Sequence, residues 1–317
     1  MQLGILLDVQ EGIGWEEWRR LVPLVEALGF ESLWRSDHLF SLFDHPERPG
    51  LECWTALAWA AEHTSRVAIG PLVSPVTFRH PSLLALQAAT VDALSGGRLV
   101  VGIGAGWHAG EHRAFGVPFP PAAERIERLG EAAALLKALL GGGMATYQGK
   151  YSTLEGAVAH PRPPRRPPLL IAGGGERRTL RVVAEHADEW NVPGLSPARY
   201  REKRAALERH CAEVGRDPAE IARSVTSLFV VGTSAAEIER RTADREAYAY
   251  TWVPADTPRR AEAFRELGWL YGRPEEVTEQ IQALAAEGVQ RLVLQPLGPT
   301  DEAELRLIAE RILPPVA

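Results

Sequence analysis

The sequence predicts a (β/α)8 barrel, and two observations carry that prediction. Eight short apolar runs alternate with amphipathic stretches along 317 residues, the arithmetic of eight strands each followed by a helix. Polar residues recur at the carboxyl ends of those runs, where a barrel gathers its site at one mouth and where a polar group is costly to bury without a partner.

The candidate strands are Leu3 to Leu7, Ser32 to Trp34, Val67 to Val73, Leu99 to Ile103, Leu169 to Ala172, Glu189 to Val192, Ser227 to Val231 and Arg291 to Leu294. Between the first two, Trp15, Trp18, Leu21, Val22, Val25 and Leu28 repeat at threes and fours and stop at Gly29, the pattern of an amphipathic helix. Ile126, Leu129, Leu136, Leu139 and Leu140 do the same before Gly141 to Gly143. Pro274 opens a helix carrying Val277, Ile281 and Leu284 that ends at Gly288, and Asp301 with Glu304 reads as a capping box before Leu305, Ile308 and Ile312.

Three stretches exceed simple barrel loops and are expected as insertions at the carboxyl-end face. They are Phe40 to Leu51; Gly141 to Pro168, with a hairpin-like TYQGKYSTL; and Thr251 to Tyr271. The proline-rich run Pro161 to Pro168 leads straight into the next buried strand. One domain over 1–317 is therefore expected, with a linker between two domains as the alternative.

Composition excludes several classes. The chain is 45% hydrophobic and 24% charged with no apolar run long enough to span a bilayer, so no membrane partner is expected. Met1 leads directly into LGILLDV without a basic segment and apolar core, which points to a cytoplasmic protein. The net charge of −6 and the absence of a basic stripe argue against nucleic acid. Cys53 and Cys211 are far apart and lie in helical patterns, so neither a disulfide nor a metal site is expected.

The densest chemistry lies in RLVVGIGAGWHAGEHRAFG, Arg98 to Gly116, where a buried strand ends in glycines and is followed by Trp107, His108, Glu111 and His112. The alternative is that the glycines serve close packing and Trp107 caps the core. Asp8, Asp37, His38, Ser74, Thr77, Asn191 and Gln295 mark other strand ends. His38 is suited to acid-base work near neutral pH, although such a histidine also serves as a hydrogen-bonding residue. Gly173, Gly174, Gly175, Glu176 and Arg177 follow the fifth strand, where free backbone N–H groups and nearby arginines favour a phosphate; a tight turn is the plainer reading. Trp54, Trp107 and Trp252 are candidate walls for an apolar or conjugated substrate.

TFRHPSLLALQAATVDALSGGRLVVGIGAGWHAGEHRAFG, together with SLWRSDHLF, PPLLIAGGGERRTLRVVAEHADEWN and LYGRPEEVTEQIQALAAEGVQRLVLQPLG, closely resembles the bacterial luciferase-like flavin- and deazaflavin-dependent oxidoreductases over nearly the full chain. The resemblance implies a luciferase-like barrel, often a homodimer, that binds coenzyme F420 or FMN across its mouth and acts on a small-molecule substrate. The Asp-His pair after the second strand is typical of the F420-dependent branch. That favours hydride exchange with coenzyme F420 over the alternative of an FMN-dependent monooxygenase; a non-catalytic ligand-binding barrel is the third reading.

By the same resemblance Asp37 contacts the cofactor and His38 serves as proton donor or hydride-site partner. Leu72-Val73 is the place of a cis peptide that buttresses the ring. Ser74, Ala105, Gly106 and Trp107 line the ring, and Gly173, Gly174, Glu176 and Arg177 face the ribityl-phosphate side. Sugar-phosphate dehydrogenases of this branch carry a glutamate where this chain has Trp107, so Glu111, four residues on, is the candidate for that acid-base role.

Overall fold

The computed structural model describes residues 1–43, 45, 47–244, 259–296 and 300–316; Trp252 lies outside them. The chain folds as the predicted barrel. Its strands are β1 (Gln2–Leu7), β2 (Ser32–Arg35), β3 (Ala68–Pro71), β4 (Ser74–Pro75), β5 (Val101–Gly104), β8 (Leu169–Ala172), β9 (Glu189–Pro193), β10 (Ala222–Val231) and β12 (Arg291–Gln295). They pair in parallel in the order β3-β2-β1-β12-β10-β9-β8-β5-β4, and a bridge from Ile69 to Leu99 joins the two ends. β6 (Ala145–Gln148) and β7 (Thr153–Ala157) form the anticipated antiparallel hairpin outside the barrel.

Side chains alternate across the barrel wall, as the strand period requires. Leu3, Ile5 and Leu7 of β1 pack outward against helices such as α1 (Trp15–Ala27) and α2 (Cys53–Glu62), within one continuous apolar layer. Leu6, Trp34, Leu72, Val100, Leu170 and Val293 form a separate cluster that plugs the barrel interior. Both cysteines are free and buried in the outer layer.

Four local features differ from the sequence expectation. The third strand is interrupted: β3 and β4 are separated by a cis peptide between Leu72 and Val73, at the place the resemblance implies. The chain there leans onto β5 so closely that a Cβ on Gly102 would lie 2.0 Å from the Pro71 carbonyl oxygen, and one on Gly104 would lie 2.7 Å from Val73 Cγ2. Glycine is needed at both positions for that approach. β10 starts at Ala222 rather than Ser227, because its inward positions Ser224 and Thr226 are polar and break the apolar run. A three-residue strand, β11 (Leu270–Gly272), extends the sheet beside β10.

The fourth difference is at helix α11 (Glu302–Arg311), counting α3 (Pro81–Leu94), α4 (Ala109–Ala114), α5 (Ala122–Leu140), α6 (Thr179–His186), α7 (Pro197–Val214), α8 (Ala235–Asp244), α9 (Arg260–Glu266) and α10 (Pro274–Ala286) before it. Asp301 caps it as expected, accepting from the N–H groups of Ala303 and Glu304. Glu304 does not reach back to complete the box. Its carboxylate accepts the Val231 N–H at 2.7 Å, because satisfying a buried donor at the end of β10 outweighs a bond at an exposed helix start.

Candidate active site

The carboxyl ends of β2, β4 and β5 assemble two hydrogen-bonded groups. In the first, Asp37 is buried directly after β2, and its carboxylate accepts the Ser74 hydroxyl at 2.6 Å. Ser74 in turn accepts the Trp54 indole N–H at 3.1 Å. Arg79 pairs with both Asp37 oxygens and donates to Glu52 at 3.0 Å. Burial alone would weaken the Arg79 charge, but Asp37 beside it holds its pKa above the ordinary arginine value. Trp54 is therefore a support inside the core and not a wall of the mouth, because its one polar atom is committed to Ser74.

The second group lies beside the first. Glu111, on the short helix α4, is 1% exposed, and both its oxygens lie within 3.1 to 3.2 Å of His38 Nδ1. The Leu39 N–H also donates to it at 3.1 Å. Burial pushes the Glu111 carboxyl up, but the hydrogen bond and charge of His38 and the Leu39 N–H more than offset that, holding it below the usual carboxylate range. An ionised carboxylate only accepts, so His38 Nδ1 carries a proton and donates it. His38 Nε2 makes no hydrogen bond among the described residues, leaving one open acid-base nitrogen of fixed tautomer.

Trp107 stands edge-to-face with His38, ring centroids 5.8 Å apart, and is 65% exposed. It is an aromatic surface at the mouth rather than a core cap. His112 is structural: its Nδ1 donates to the His108 carbonyl at 2.8 Å, leaving Nε2 against the Thr77 hydroxyl at 2.7 Å. Burial holds His108 below the usual imidazole value, against the pull of Glu111.

The glycine turn follows β8, the strand paired with β5, and so sits on the same rim. Gly173 has φ 135°, a conformation open to glycine, and its carbonyl accepts the Trp190 indole N–H at 2.9 Å. A Cβ on Gly174 would lie 3.2 Å from Val192 Cγ2. The backbone N–H groups of Gly174, Gly175 and Arg177 make no hydrogen bond among the described residues. Lys203 of α7 reaches Glu176 at 2.7 Å and brings a positive charge to the turn. Free donors, glycine backbone and an ammonium fit a phosphate-bearing cofactor tail.

The structure thus brings Asp37, His38, Ser74, Trp107 and Glu111 together, with the Leu72–Val73 bend and Ala105-Gly106 along the same edge. It places Ser74 fully buried beneath Asp37 and leaves Glu176 and Arg177 exposed on the rim beyond β8. Arg79 and Lys203 were missed from sequence. Arg79 lies in TFRHP two residues after Thr77, and Lys203 is one of three lysines, but nothing local says what either one meets.

A family model described as luciferase-like monooxygenase matches residues 1–293. The chain belongs to the luciferase-like monooxygenase family. Among curated relatives of this family member, an F420-dependent glucose-6-phosphate dehydrogenase from Microbacterium testaceum (strain StLB037) is 29% identical over 313 residues, covering 92% of this chain and 90% of the relative. A 5,10-methylenetetrahydromethanopterin reductase from Methanopyrus kandleri is 26% identical over 343 residues, covering 93% of each. Among solved structures, an F420-dependent secondary alcohol dehydrogenase in complex with an F420-acetone adduct superposes with TM-score 0.85 at 20% identity, covering 100% of this chain and 99% of that one, and shares the fold.

Proposed function

We propose that this luciferase-like chain is a coenzyme F420-dependent oxidoreductase that moves a hydride between the deazaflavin and a small organic substrate. The observation that carries the reading is the His38–Glu111 pair opening one imidazole nitrogen beside an exposed Trp107 at the barrel mouth. The names of the relatives support the choice of cofactor. Bound at the mouth, coenzyme F420 would supply the deazaflavin ring that accepts or gives the hydride.

The chain's own residues do the rest. The glycine turn at 173–175, with Arg177 and with Lys203 oriented by Glu176, holds the phosphate side. The Leu72–Val73 bend, Ala105, Gly106 and Trp107 shape the ring's seat, and Asp37 is the polar group at its edge, fixed by Ser74 and Arg79. His38 Nε2 takes the proton from a substrate hydroxyl, or returns it to a carbonyl oxygen, while Glu111 orients the imidazole and stabilises it when charged. Glu111 is buried behind His38 and acts through it, so its role is positioning.

We also assign a homodimer, supported by Leu83, Leu86 and Leu94 exposed along one face of α3, and a cytoplasmic location, supported by two free thiols. Among the described residues no helix is long and apolar enough to cross a membrane.

Separate fluorescence titrations of the purified chain with coenzyme F420 and with FMN test the cofactor. Tight F420 binding beside weak FMN binding is expected. A preference for FMN would move the chain to oxygen-dependent chemistry, and binding of neither would leave a non-catalytic barrel.

A further inference from the structure

Directly above the apolar plug, the next inward-facing layer of the barrel is polar on the side of β1, β2 and β12, while β5 and β8 contribute Gly102 and Ala172. By the alternation that places Leu6, Trp34 and Val293 inside, Asp8, Ser36 and Gln295 also point inward, two residues further toward the mouth. β9 and β10 add Asn191 and Thr226 to this layer. Asn191 donates to Ser224 Oγ at 3.0 Å and accepts the Thr226 hydroxyl at 3.1 Å. Ser36 donates to Gln10 Oε1 at 2.6 Å, Gln10 donates weakly to Asp8 at 3.4 Å, and Gln295 donates to Asp8 at 2.6 Å.

Hydrogen-bond capacity in this floor is unbalanced. Each Asp8 oxygen takes one donor and has room for another. Gln295 spends its amide nitrogen on Asp8, and its carbonyl oxygen makes no hydrogen bond among the described residues. No lysine or arginine among the described residues pairs with Asp8, although a buried carboxylate ordinarily has such a partner. Its titratable neighbours are His38, on the mouth side, and Glu11. Burial, resisted by Gln295 and His38, raises its carboxyl above the ordinary value, as an acid without a cation should behave. The proposed chemistry at His38 makes no use of this group.

We propose that Asp8 is the specificity-determining residue of the mouth: with Gln295 it receives a hydroxyl or amino donor carried by the substrate next to the reacting carbon, and it repels anionic substrates. This rests on the oxidoreductase reading above. The acceptor-rich floor selects neutral polyhydroxy or amino alcohols and the matching carbonyl compounds over carboxylates and phosphate esters. Proximity of Asp8 to His38 puts the recognised donor beside the carbon whose hydroxyl meets Nε2.

Three probes share one benzylic secondary carbinol and differ only in the neighbouring group: styrene glycol carries a hydroxymethyl, α-methylbenzyl alcohol a methyl and mandelate a carboxylate. Calorimetric titration of the F420-loaded full chain reads their affinities without requiring turnover. Fluorescence binding of F420, measured first, reports separately on the cofactor reading; a chain that fails it is titrated with the same probes without cofactor.

The glycol is expected to bind ~10-fold tighter than the methyl compound, as for a hydrogen bond to a charged group, with mandelate weakest. Asp8→Asn should erase most of the glycol's advantage and ease the exclusion of mandelate, with F420 affinity unchanged. Gln295→Met, which leaves Asp8 in place, should reduce the advantage in part and gives a second reading if Asp8→Asn does not fold. Equal binding of glycol and methyl compound, tightest binding of mandelate, binding of none of the three, or variants that discriminate as the native chain does would each overturn the proposal.

Discussion

Glu111 and His38 are 73 residues apart in the chain, and their contact turns a common surface residue type into a directed acid-base group. The carboxylate meets Nδ1 and the Leu39 N–H and has no route to the mouth of its own, so its effect is felt through the imidazole. Glu111→Ala should lower kcat by about 10²-fold, the scale of lost acid-base catalysis, with the F420 dissociation constant unchanged. Glu111→Gln keeps an acceptor for Nδ1–H and should recover part of the loss in the same steady-state assay. A purely structural role would lower cofactor affinity and turnover together and would not be rescued by the amide. Sequence reading named both residues and could not pair them, because a contact across that separation leaves no local pattern. The pairing of Asp37 with Arg79, 42 residues away, was hidden for the same reason.

At the scale of elements, Glu26 shows how one side chain fixes a helix end to the approach of a strand. Near the end of α1, its carboxylate accepts the backbone N–H groups of Ser65, Arg66 and Val67 at 2.7 to 3.0 Å, just before β3. Burial opposes ionisation, but those donors hold the carboxyl down to about 2 against an ordinary value of 4.5. A carboxyl with a depressed folded-state pKa adds stability that is complete above its unfolded value and is lost as pH falls through the folded one. Glu26→Gln should therefore cost roughly 1–2 kcal/mol at pH ~7, discounted for partial exposure, and much less near pH ~2. Urea unfolding of both chains at the two pH values checks it; a constant difference would refute the linkage. The eight strands were legible because each is a compact apolar run between turn residues. The break after Pro71 was not, since Val67 to Val73 is apolar throughout and only the proximity of Gly102 and Gly104 shows why the chain bends. The polar first half of β10 escaped for the converse reason: Ser224 and Thr226 face the lumen, where an apolar pattern was expected.

Across the whole molecule, the barrel's two ends carry polar networks of opposite character around one apolar plug. At the amino end Arg291 of β12 pairs with Glu189 of β9 and with Glu31 at 3.1 Å, a closure in which one cation bridges two carboxylates. At the mouth the inward layer is acceptor-rich and uncompensated, and the groups that open toward solvent are His38, Trp107 and the glycine turn. The outer wall has its own imbalance on α3. Leu83, Leu86 and Leu94 are 58%, 41% and 41% exposed on one stripe. A row of exposed leucines along the outer face of one helix is the kind of surface that a second copy covers. Leu86→Glu would place a charge at the centre of that contact, against the same residue of the partner in a two-fold arrangement. Light scattering should then report the native chain near twice its formula mass and the variant near one, with F420 affinity retained because α3's outer face is remote from the lumen. A native chain that runs as a monomer across the micromolar range, or a variant that remains dimeric, would remove α3 as the interface and leave the stripe to another partner.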